Sequence, residues 1–141
     1  MTDDEFIEQF EGRTLPFDQW THRAHVRVAF IYCRRHGLDG AIERLRNGIQ
    51  AYNAANEVPE GPLQGYNETT TQAFLRLVAS TMAAYGDRLP TPNADSFCDT
   101  HPHLLHRSVL RLFYSRLDQQ PAEAKTRFVE PDLTPLRRPR L

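Results

Sequence analysis

His22 and His25 stand three residues apart shortly after Trp20, and Glu68 follows Asn67 in a later segment. Neutral imidazole is a favoured ligand for zinc, iron, copper and nickel, and it is the side chain best suited to moving protons near neutral pH. Two histidines joined by one carboxylate resemble the facial arrangement that leaves a metal with open positions. His22, His25 and Glu68 are therefore candidate ligands for a divalent transition metal (Fe, Zn or Ni), and Glu68 is a candidate catalytic acid/base group. Each residue also has an ordinary role open to it. The rings can pack half-buried and bond backbone or carboxylate groups. A first-turn glutamate stabilises its helix through the dipole, and Asn67 suits an N-cap.

An HxxH pair shares a face only on a helix, where successive residues advance by about 100°. Thr21 is expected to start that helix, which runs to about Arg35 and stops at Gly37. The same wheel sector holds Ala29, Tyr32, Cys33 and His36, whereas Arg23, Arg27 and Arg34 cluster opposite. Arginines normally mark solvent, so the histidine stripe is expected to face inward. A helix N-terminus also lowers a histidine pKa and keeps a lone pair free. A later helix from about Asn67 to Tyr85 has Thr71, Phe74, Leu75, Val78, Met82 and Tyr85 as its apolar face. Asn67 lies at the centre of that face and Glu68 near its edge.

The remaining elements are also helical. Thr2 and Asp3 cap a short helix carrying Phe6, Ile7 and Phe10, ended by Gly12. Leu15-Pro-Phe-Asp-Gln-Trp20 is a turn with bulky anchors. Asp39 is a plausible cap for a helix through Ile42, Leu45, Ile49 and Tyr52. Residues 56–65, with Pro59, Gly61, Pro62 and Gly65, form a long connection of the kind that holds functional groups or moves. A short helical piece surrounds Phe97. Pro102 is expected to open a last long helix through Leu105, Val109, Leu112 and Leu117. The expected fold is all-α, a single-domain bundle of about five to six helices over residues 1–136. An extended C-terminal run is packed on it through Phe128, Val129, Leu133 and Leu136, and residues 137–141 form a flexible basic tail.

Three runs, Trp20-Thr-His-Arg-Ala-His-Val-Arg-Val-Ala29, Tyr66-Asn-Glu-Thr-Thr-Thr71 and Phe128-Val-Glu-Pro-Asp-Leu-Thr-Pro-Leu136, together resemble an uncharacterised family of small bacterial proteins with no established activity. The middle motif of that family usually reads Tyr-His-Glu-Thr. The resemblance implies two histidines on one helix and His-Glu opening another, a metal or acid/base constellation. Asn67 stands at the histidine position, and asparagine is a poor ligand for zinc or iron, so a site here would be weakened, altered or lost.

Other signals bound the function. His101, His103 and His106 form a second cluster near Cys98, either a further ligand source or a histidine-rich cap. No glycine-rich phosphate loop, HExxH or GxSxG motif is present. With 17 basic and 18 acidic residues the net charge is -1, which makes no case for nucleic acid or an anionic membrane. Lys125 is the single lysine among the basic residues. Two distant cysteines, Cys33 and Cys98, and an acidic N-terminus without an apolar signal region point to a reduced, cytoplasmic setting. A small-molecule substrate fits the enzyme reading. The alternative is a non-catalytic helical module that binds a small molecule or a protein partner beside Phe17, Trp20 and the Pro/Gly loop. Length leaves the oligomeric state open.

Overall fold

The computed structural model describes residues 1–141 and is all-α. Helix α1 spans Asp3–Glu11, α2 His22–Ala55, α3 Glu68–Tyr85 and α4 Ala94–Thr100, followed by a chain of short 3-10 turns. Each α-helix begins at a side-chain cap: the oxygens of Thr2, Thr21, Asn67 and Asn93 accept the backbone N–H groups of Glu5, Ala24, Thr70 and Ser96. Such caps satisfy donors the helix itself leaves open and contribute about 1 kcal/mol each. No helix is long and apolar enough to cross a membrane.

Helix α2 is the axis of the fold, and α1, α3 and α4 all pack on it. Its first arm is buried around much of its circumference, with Val26, Val28, Phe30, Ile31 and Cys33 nearly inaccessible. The expected break at Gly37 is present, but it is a single residue wide. Gly37 takes φ 72 and ψ 177, and the helix resumes at once. The arms 22–36 and 38–55 are thereby set at an angle. Asp39 does not cap the second arm as expected; it lies inside the helix and its carboxylate pairs with Arg138.

The arginine side of α2 differs from expectation. Arg23 and Arg27 do not mark open solvent but pair with Asp95 and Asp99 of α4, and Arg34 pairs with Asp3 of α1. The Arg27 guanidinium also lies 4.1 Å over the Phe6 ring. Asp3 in turn accepts the backbone N–H of Ala94, so one carboxylate joins α1, α2 and the start of α4. Two short helices with acidic first turns cover what a lone amphipathic helix would have shown to water.

The segment expected as a last long helix, from Pro102 through Leu117, is instead a run of 3-10 turns, Pro102–Leu105, Arg107–Leu112 and Leu117–Gln119, and a further one, Ala122–Lys125, follows it. His106 is extended between the first two, at φ -120 and ψ 120. Between Pro102 and Leu117 the buried residues are Leu104, Leu110, Tyr114 and Leu117. The last three keep the i, i+4, i+7 spacing of a helix face, and the extended His106 separates them from Leu104. Leu112 is left 68% exposed. Leu110, Tyr114 and Leu117 form a second small core with Ala73, Phe74 and Leu136, whereas Leu104 joins the main core. The C-terminal run packs as expected at Leu136 and at Phe128, which sits under the Arg76 guanidinium, whereas Leu133 points outward. Tyr114 donates to the Val129 carbonyl at 2.7 Å, and Thr69 bridges Arg127 and Val129. The tail expected to be free is joined to the domain at Arg138.

Loop 56–67 is held rather than loose. The Lys125 ammonium donates to Glu60, to the Gln64 carbonyl and to the Tyr66 carbonyl.

Gly37 occupies a backbone region open almost only to glycine, with no atom within 4 Å of where a Cβ would stand. Gly37→Ala is therefore a pure backbone test. It is expected to lower stability by about 1–3 kcal/mol in urea unfolding, and a neutral result would mean the arms are not constrained at this residue.

Candidate functional site

The first turn of α2 carries His22 and His25 into a crevice between its two arms and the start of α3. Trp20 closes the turn before them. It stacks on Phe10 with ring centroids 4.8 Å apart and lies 5.2 Å from Tyr52, whose hydroxyl donates to the Leu15 carbonyl. The His25 ring packs on the indole at 3.9 Å, and His22 meets the edge of Phe74 at 4.6 Å. The imidazole centroids are 6.4 Å apart with planes within 20° of parallel.

Each ring is held by one hydrogen bond to a backbone carbonyl. His25 Nδ1 lies 2.8 Å from the Thr21 oxygen, and His22 Nε2 lies 2.9 Å from the Leu104 oxygen. A carbonyl oxygen only accepts, so these nitrogens carry the protons. In the neutral rings the lone pairs are then His25 Nε2 and His22 Nδ1. Burial pushes the His25 pKa down to about 4, against the stabilising pull of the Thr21 carbonyl and with a further push from His22. Burial also lowers His22; the Leu104 bond opposes it, and the nearby His106 and Arg107 add to it. Both imidazoles are neutral at pH 7.

A cavity of about 210 Å³ borders both rings, with apolar walls from Val26, Ala29, Leu45, Ile49 and Phe74 and polar groups from Thr70, Thr71 and Arg107. A neighbouring cavity of about 240 Å³ shares His25, Ile49, Thr70 and Thr71 and reaches Trp20 and Asn67. A more polar basin of about 520 Å³ under loop 56–67 meets the first at Thr70 and Arg107. Residues from α2, α3 and the turn after His106 thus converge on one crevice.

Glu68 is not part of it. Its side chain is buried and turned to the second arm of α2, where Arg46 donates to both carboxylate oxygens at 2.8 Å. Tyr66 donates to one oxygen at 2.7 Å and Gln72 to the other at 2.6 Å. Burial alone would raise this carboxyl, but the bonds from Arg46, Gln72 and Tyr66 outweigh it and hold the pKa at about 2. A carboxylate accepting four hydrogen bonds has little capacity left to bind a metal or take a proton. Asn67 is committed as the α3 cap and lines the second cavity and the basin. No group of three or more His, Cys, Asp or Glu side chains comes together in a way that could hold a metal ion, so the expected triad of His22, His25 and Glu68 is not assembled.

The second histidine cluster is dispersed as well. His101 is buried between Phe97 and Tyr85, whereas His103 and His106 are exposed. Cys33 and Cys98 are free and buried, which pushes their thiols up to about 12 and about 11. The sequence reading missed the Leu104 carbonyl and Arg107, since both reach the site through an irregular segment. Thr70 and Thr71 were legible in principle, because they sit one turn beyond Asn67 on the same helix face.

Glu68→Gln separates anchor from catalyst. Loss of the charged partner of Arg46 is expected to cost about 2 kcal/mol at pH 7 in urea unfolding. Because the folded carboxyl titrates near 2 and an unfolded one near 4.5, its contribution is complete above 4.5 and is lost as pH falls toward 2. The deficit of the variant should close over that window, and an unchanged stability at pH 7 would remove the anchoring role. No family model, curated protein or solved structure matches this chain, and the resemblance of the three motif runs stands without such a match.

Proposed function

We propose that the crevice beside His22 and His25 binds a small molecule and that the two neutral imidazoles exchange protons with it, His25 through Nε2 and His22 through Nδ1. The observation that carries the reading is the pair of backbone hydrogen bonds, which holds both rings in one tautomer and orientation with a lone pair left over on each. General-base chemistry needs such groups: positioned, unprotonated, and bordering a cavity from which water is partly excluded. A proton leaving an O–H or N–H of the bound molecule passes to His25 Nε2, and the imidazolium formed keeps its bond to the Thr21 carbonyl. In the empty crevice His25 is a weak base because burial disfavours its charge. A ligand that brings negative charge next to the rings offsets that cost and strengthens the base. Glu68 has no chemical step in this reading and serves to place α3.

The same outer hydrogen bonds are the support that metal-bound histidines commonly carry. A two-histidine site for a divalent ion such as Zn or Ni, completed by water or ligand, is the second reading. Zn²⁺ titration followed by the His22 and His25 ring resonances distinguishes them: stoichiometric, saturable shifts of both rings favour the metal, and unperturbed rings favour proton transfer alone.

4-Nitrophenyl acetate, a neutral activated ester with no proton of its own to give, probes the His25 lone pair. Nε2 attacks the carbonyl and expels nitrophenolate, or takes a proton from the water that does so, and water completes the hydrolysis. Nitrophenol release is expected to contain a component that rises through about pH 4 and is level above it, following His25 rather than an ordinary histidine near 6.5. His25→Gln should reduce that component by about tenfold or more. A single midpoint near 6.5 that survives the substitution would assign the reactivity to exposed His36, His103 or His106 and overturn the reading; binding without any turnover would favour the non-catalytic module.

A further inference from the structure

We infer that the molecule bound in the histidine crevice is a small carboxylate with an apolar body about the size of benzoate, its anionic group held by Arg107. The inference rests on the crevice being a ligand site and goes on to name the ligand's chemistry. No acidic side chain lines the cavity shared by the two histidines; its one charged wall group is the Arg107 guanidinium. That guanidinium is weakly engaged. Asp118, its ionic partner, lies 3.8 Å away and is instead bonded to Arg111 at 2.6 Å. Arg107, His22 and His25 border the same cavity, so a charge the guanidinium binds there shares the space the two rings face. Guanidinium matches a planar carboxylate with two parallel N–H groups.

Size and charge narrow the class further. An apolar cavity of about 150 Å³ accommodates benzene, so about 210 Å³ holds one ring or a branched chain with one small polar group. A single arginine suits a monoanion. The other cation in the neighbourhood, Lys125, spends its donors on Glu60 and two loop carbonyls and adds no second charge for a phosphate dianion. The start of α3 opens on the same cavities, and its dipole favours negative charge there.

Benzoate, its neutral planar isostere benzamide, and phenyl phosphate are the probes, titrated into the protein while the His22 and His25 ring resonances are followed. Benzoate should bind about tenfold or more tightly than benzamide, with both rings shifted and the preference reduced by salt. Arg107→Gln should abolish the preference, and Arg107→Lys, which keeps the charge but not the fork, should retain part of it; circular dichroism of both variants checks that they fold. Equal affinity for benzoate and benzamide, a preference that persists in Arg107→Gln, or rings unmoved by any probe would overturn the inference. Tighter binding of phenyl phosphate than of benzoate would overturn the carboxylate assignment. The proton-transfer reading can fail independently, since the neutral ester reports on His25 without an anion.

Discussion

A bidentate ion pair joins Arg46, on the second arm of α2, to Glu68 at the first position of α3. Tyr66 and Gln72 fill the remaining acceptor sites of the same carboxylate, so the strand of chain entering α3 and its first turn are bound to one point. This contact joins two of the elements that wall the crevice. Its walls are the first arm of α2 with the histidines, the second arm with Leu45 and Ile49, and α3 with Thr70, Thr71 and Phe74. A carboxylate shielded from water binds its partners strongly when every lone pair is satisfied and costs heavily when one is not. The pair therefore ties the start of α3 to the second arm of α2 while lying outside the crevice itself.

Two opposing demands meet at the histidines. Burial beside Trp20 and Phe74 removes the water that would stabilise an imidazolium, and the adjacent helix start and Arg107 act in the same direction. The backbone carbonyls of Thr21 and Leu104 oppose this in part and, more usefully, decide where the proton sits. The result is a pair of rings with fixed lone pairs at the cost of basicity. Linkage makes that cost visible in stability. With its folded pKa near 4 and an unfolded value near 6.5, His25 contributes no penalty above 6.5, and stability declines as pH falls from there toward 4, where the loss is complete.

Arginines supply many of the charged links between elements. Arg23, Arg27 and Arg34 link α2 to α4 and α1, Arg46 links it to α3, and Arg138 returns the C-terminus to Asp39. Arg76 is buried with its guanidinium over Phe128, and burial lowers its pKa despite nearby Glu130. Exposed pairs of this kind contribute little individually. Their main effect is orientation, through planar groups that bond in fixed directions and stack on rings.

The local code was legible in the sequence wherever a residue acts on its own neighbours. Thr2, Thr21 and Asn67 start helices because a short side-chain oxygen finds N–H groups two or three residues on, and Gly37 breaks α2 because only glycine takes that backbone geometry readily. The spacing of His22 and His25 placed both on one helix face, and both do border one cavity. What depended on partners distant in sequence was not legible. Glu68 sits two residues from Tyr66 and four from Gln72, yet its role is set by Arg46 on another helix, which withdrew it from the histidines. The polarity of Arg23 and Arg27 was read as solvent because nothing local announces that α4 supplies Asp95 and Asp99. The segment after Pro102 keeps helix-like spacing at Leu110, Tyr114 and Leu117, yet it folds as 3-10 turns interrupted at the extended His106. Periodicity reports the face a segment would bury if it were regular; only the tertiary packing decides whether it is regular and which charges meet across the interface.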